Sequence, residues 1–144
     1  MAIVEQELSY QIMQAAFEVY NKLGPGFLES LFENAMVIEL RQHSLFVETQ
    51  VRVPVLYKNQ PIGEHILDVI VNSRVILELK AVSEIAPIHK QQALSYAKAT
   101  SLPLAIVINF GASSLQYSRV ANTRRLQVSS PTLSRNSPNS RNSR

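Results

Sequence analysis

The 144-residue sequence contains no cysteine, which excludes disulfides, thiolate zinc sites and cysteine nucleophiles together. Any metal it binds must be held by oxygen or histidine. No apolar run approaches the roughly 20 residues of a membrane-spanning helix. The start, Met-Ala-Ile-Val-Glu-Gln-Glu, has neither the basic cluster nor the apolar segment of a secretory signal, so a cytoplasmic protein is the expectation. Positive charge is also scarce where a fold can form. Residues 1–120 carry nine basic against eleven acidic side chains, a net of −2, and the formal +3 of the whole chain comes from five arginines at 124, 125, 135, 141 and 144. A protein that binds nucleic acid mainly by electrostatics presents a basic face; this one must hold such a substrate locally or with help from its tail. Aspartate is scarce too, with Asp68 the only one.

What is present suits one globular domain, expected over residues 1–120: the chain is 46% hydrophobic and long enough to bury a core. From Glu5 to Lys22, Leu8, Ile12, Ala15 or Ala16, Val19 and Leu23 recur at three and four, predicting a helix that ends at Gly24. After Pro25 a second helix is expected from Gly26 or Phe27, with Leu28, Leu31, Phe32, Ala35, Met36 and Leu40 facing inward. Val47, Thr49, Val51, Val53 and Val55 alternate with polar residues as a strand with one wet face, and Pro54 places it at an edge or a bulge. Ile62–Val71 returns as a second strand. A helix is expected over Ile88–Ala99, a buried strand over Leu102–Phe110, and an edge strand over Leu115–Val120. Beyond Ala121 the Ser, Asn, Arg and Pro residues have almost nothing to bury, so 121–144 is expected to be a disordered tail.

The stretch Leu67–Ala81 carries the chemistry. Two β-branched runs flank Asn72-Ser73-Arg74 and read as a hairpin, yet Asp68, Glu78 and Lys80 lie inside them. Glu78 and Lys80, two apart, share a face with Ile76. Asp68 joins that face if it pairs with Glu78 across a three-residue loop, whereas a two-residue turn sends it to the other side. Two carboxylates and an ammonium in a low-dielectric cleft suit Mg²⁺ or Mn²⁺, with the lysine free to act on a phosphate. The alternative is an ordinary Glu-x-Lys ion pair on a solvated face.

This arrangement resembles the PD-(D/E)XK nuclease superfamily, whose core is αβββαβ. More narrowly, Leu23-Gly24-Pro25-Gly26-Phe27-Leu28-Glu29-Ser30-Leu31-Phe32 is similar to the signature of the GxxExxY proteins. The likeness continues through Glu78-Leu79-Lys80-Ala81-Val82, His89-Lys90-Gln91-Gln92 with Tyr96, and the strand Leu104–Phe110. It implies an α/β fold with a mixed sheet flanked by helices and an extra N-terminal helix. It implies a metal-dependent phosphodiesterase acting on nucleic acid, with DNA the expected form. Asp68, Glu78 and the carbonyl of Leu79 would hold Mg²⁺ or Mn²⁺; Lys80 would position water or stabilise the transition state; Glu29 would project into the cleft as an additional acid; Gln92 would orient the substrate. From the residues alone, Glu29 complements a helix dipole and Gln92 with His89 lines a solvated face. His65 and Ile66 depart from the family, which often has an aromatic and an arginine there, and His65 alone reads as a solvated strand residue. A catalytically weak or inactive module on the same fold, binding nucleic acid or a protein partner, is the competing reading. Self-association into a homo-oligomer stays open.

Overall fold

Seven apolar and small residues set the first element. Leu8, Ser9, Ile12, Met13, Ala15, Ala16 and Val19 are buried along helix α1, Gln6–Leu23. In this computed structural model, which describes residues 3–123, Gly24 terminates α1 at φ 70°, its N–H donating to the Tyr20 carbonyl at 2.8 Å. A left-handed residue is least strained when it is glycine. Gly26, at φ 114°, and the extended Leu28 delay helix α2 to Glu29–Gln42. This is later than periodicity alone suggests, and Leu28 and Leu31, expected inside, are 73% and 46% exposed. Only the stripe Phe32, Met36 and Leu40 is buried.

Strands β1 (Val47–Tyr57), β2 (Gln60–Val71) and β3 (Val75–Lys80) form an antiparallel meander. Helix α3, Pro87–Thr100, crosses over to β4, Leu104–Asn109, which runs parallel to β3. Strand β5, Gln116–Ala121, pairs antiparallel with β4. The sheet order is β1-β2-β3-β4-β5. The αβββαβ core therefore runs from α2 to β4, with α1 as the extra N-terminal helix, and Pro54 does lie on an edge strand. Helices α1 and α2 pack on Val69, Val71, Leu77, Leu79, Ile106 and Ile108. Ala93 and Ala97 of α3 pack on the opposite face, against Ile70, Ile76, Ala105 and Val107. Strands covered on both faces read as the continuous apolar runs seen in β3 and β4.

The strict alternation expected of β1 does not hold. Val47 joins the α1–α2 side and Val51 and Val53 the α3 side. Gln50 lies between them at φ 51°, and this left-handed residue reverses which face the odd positions occupy. At the other end, β5 continues through Ala121 and Asn122 is buried, donating to the carbonyls of Ala97 and Leu102, both at 3.0 Å. The fold thus extends two residues past the expected boundary at 120. The rest of the expected tail, from 124 on, lies outside the described residues. No helix among those residues is long and apolar enough to cross a membrane.

Candidate active site

The hairpin register decides which residues meet. Val71 pairs with Val75, Ile70 with Ile76 and Val69 with Leu77, leaving Asn72-Ser73-Arg74 as a three-residue loop. Asn72 and Ser73 both turn left-handed at φ 53°, and the Arg74 N–H closes on the Val71 carbonyl at 3.0 Å. One further step in this register sets Asp68 across from Glu78. Ile76 faces α3, so Glu78 and Lys80 follow it to that side by strand alternation.

Here the ladder gives way to side-chain chemistry. Asp68 Oδ2 accepts the Leu79 backbone N–H at 3.3 Å, and Lys80 Nζ lies 3.9 Å from Glu78 Oε1. Glu78 is 5% exposed, and its Oε2 is buried without a hydrogen-bond partner among the described residues. Burial first, and the Asp68 charge second, push the Glu78 carboxyl up to about 8, with Lys80 opposing the rise. Burial likewise pushes Asp68 up to about 6, against the lowering effect of the Leu79 N–H. The charges of Glu33 and Glu29 on α2 add to the rise at Asp68.

Glu33 is a carboxylate that sequence reading passed over. Its Oε2 accepts from Gln50 Nε2 at 3.0 Å, and Gln50 sits where the β1–β2 register runs past Asp68, between Thr49↔Val69 and Val51↔Leu67. The left-handed backbone at Gln50 gave no signal in the sequence. Glu29 opens α2 and is exposed, so it serves the helix dipole while its charge also reaches Asp68 and Glu78. Among the described residues no three of His, Asp and Glu are grouped to hold a metal ion. Asp68 and Glu78 are a pair, which is as many carboxylates as Mg²⁺ commonly takes, the rest of its shell being water and substrate oxygen. The pair passes a test of fit on its own terms, since a buried carboxylate oxygen lacking any partner is a group that a cation would satisfy.

The strand end that carries Lys80 is clamped by another unforeseen residue. Asn109, fully buried and paired in register with Lys80, accepts the N–H groups of Val82 and Gly111 on Oδ1. Its Nδ2 donates to the Val82 carbonyl and Gln116, both at 2.9 Å. On α3, His89 does not point to chemistry: its Nδ1 accepts the Ala86 N–H at 2.9 Å and caps the helix. Gln92 is exposed, one turn before Tyr96. Tyr96 packs into the α3-side core, and burial, then the charges of Glu78 and Asp68, push its hydroxyl pKa up. His65 of β2 meets the Tyr96 ring edge-on at 4.5 Å and is half-buried, so it is not the solvated strand residue expected.

The family model of the PD-(D/E)XK nuclease superfamily matches residues 6–120, from the start of α1 to β5. The chain belongs to the PD-(D/E)XK nuclease superfamily. No curated protein and no solved structure matches it. For a PD-(D/E)XK protein, the five-stranded mixed sheet with flanking helices is the expected scaffold. Members generally use a divalent metal such as Mg²⁺ or Mn²⁺.

Proposed function

We propose that this PD-(D/E)XK protein is a nuclease hydrolysing a phosphodiester bond of nucleic acid, DNA before RNA, at the fork between β2 and β3. The observation that carries the reading is Glu78: a carboxylate 5% exposed, with one oxygen unpartnered, beside a second raised carboxylate. A purely structural role would leave such a group costly to bury. Asp68, Glu78 and the Leu79 carbonyl would hold Mg²⁺ or Mn²⁺, which supplies Lewis acidity toward the phosphoryl oxygen and lowers the pKa of water. Lys80, 20% exposed by side chain and tethered near Glu78, offsets charge building on the phosphate. The Leu79 N–H fixes the orientation of Asp68. Glu29 contributes negative charge at the cleft mouth and assists in binding metal or water, and the Gln92 amide orients the substrate.

The narrower GxxExxY membership is part of the proposal. It rests on Gly26, Glu29 and the aromatic that closes the signature, here Phe32, stacked on Phe110 at 4.7 Å. That buried stack has no need of a hydroxyl. A cytoplasmic location completes the reading.

A weakly active or inactive binding module is favoured by one observation, the Glu78 carboxyl pushed up to about 8, which must lose its proton before it can hold a cation. Full-length protein incubated with labelled linear, circular and single-stranded substrates in Mg²⁺, Mn²⁺ or EDTA separates the two. Metal-dependent cutting that Lys80→Ala reduces by about a hundredfold or more, without loss of thermal stability, supports the nuclease. Binding with no cutting in either metal supports the module.

A further inference from the structure

β1 and β2 run on together well past β3. The β2–β3 ladder covers only Val69–Val71, whereas β1 stays paired to β2 as far as Tyr57↔Gln60. The overhanging arm continues β2 beyond Asp68, and His65 sits on it opposite Val53, on the face packed by α3. Asp68 lies three residue steps along β2 from His65, a distance of about 10 Å at ~3.3 Å per residue. Its ring rests edge-on against Tyr96 at 4.5 Å, and Tyr96 lies within the field of Glu78 and Asp68. Tyr96 thus links the histidine to the carboxylate pair along one wall.

The other two histidines commit a ring nitrogen to the fold. His43 bonds Glu39 at 3.3 Å, and His89 accepts from Ala86. Among the described residues His65 makes no such bond, and it is too far along the strand to reach the reacting phosphate. Arg52, on the opposite face of the arm, is already paired with Glu64. A half-buried ring, fixed in orientation by an aromatic neighbour and with its nitrogens uncommitted, is a preorganised hydrogen-bond donor for an anion.

We infer that His65 is a substrate-binding residue that hydrogen-bonds a backbone phosphate next to the one cleaved, held in place by the edge of Tyr96. This rests on the proposed nuclease reading but is testable apart from it. His65→Phe keeps a ring against Tyr96 and removes both nitrogens. His65→Arg restores a phosphate donor without the imidazole.

Thermal midpoints of full-length wild type and both variants are compared first. Binding of a short labelled oligonucleotide is then measured in EDTA and in Ca²⁺, and cleavage kinetics in Mg²⁺ and Mn²⁺. The expected result is an unchanged midpoint, affinity weakened and KM raised about tenfold in His65→Phe, kcat within about twofold of wild type, and recovery of affinity in His65→Arg. Unchanged affinity and KM in His65→Phe would overturn the inference and leave the nuclease reading standing. So would a lowered midpoint in His65→Phe with no recovery of affinity in His65→Arg, which is the pattern of a packing residue. A wild type that binds but never cuts removes the nuclease reading, while the affinities of the variants still decide for or against His65.

Discussion

At neutral pH the buried Glu78 carboxyl keeps a proton that the same side chain loses in the unfolded chain. Its ordinary value is 4.5 and the folded value is about 8. Between these, the native state binds the extra proton, so stability is greatest below the window and falls as pH rises through it, by at most about 1.4 kcal/mol per pH unit. Urea unfolding in EDTA from about pH 5 to about pH 8 should show this decline, and Glu78→Gln should flatten it. A wild-type stability that rises over the same range would contradict the burial of the carboxyl. Asp68, Glu78 and Lys80 were legible from sequence because ionisable residues among β-branched ones have few structural excuses. His65, Glu33 and Asn109 were not. Their positions depend on the face reversal at Gln50 and on contacts between strands distant in sequence, which no local pattern encodes.

Among the elements, β3 and β4 matter most, because the segment after Lys80 is pinned between them. Gly111 is the tightest point: a Cβ there would stand 2.5 Å from both Val82 N and Val82 O and 2.6 Å from Ala81 C. Backbone atoms cannot yield as a side-chain tip does. Gly111→Ala should destabilise the protein by about 2–4 kcal/mol and lower cleavage through displacement of the strand end carrying Lys80, as measured by thermal unfolding and single-turnover assays. A variant that melts like the wild type would mean that the Ala81–Val82 segment moves freely. Close approach of two backbones leaves no trace in periodicity, so the sequence does not single out Gly111. Hydrophobic period was enough to locate α1, the hairpin, α3 and β4. It misplaced the inward face of α2, where Gly26 and the extended Leu28 shift the start of the helix.

For the whole molecule, the opposition between stability and function is measurable without a substrate. At neutral pH Asp68 is the charged member of the pair, its carboxyl pushed up to about 6 by burial and by the charges of Glu33 and Glu29 against the opposing Leu79 N–H and Lys80, so its ionised form is costly to hold. Asp68→Asn should therefore leave the metal-free protein as stable as wild type or raise its stability by about 1 kcal/mol. Mg²⁺ or Mn²⁺ should raise the wild-type midpoint by mass action, by about 2.7 kcal/mol at a hundred times Kd, and do so much less for the variant. A variant that melts well below wild type in EDTA, with a wild type indifferent to both metals, would identify Asp68 as half of a structural pair. The single contact from Leu79 N–H to Asp68 Oδ2 offers a finer gauge of the same event. Its amide cross-peak in a ¹H–¹⁵N spectrum should move whenever that carboxylate gains a proton or a cation. The backbone thereby carries its own resonance reporter of the site, readable by titration before any substrate is known.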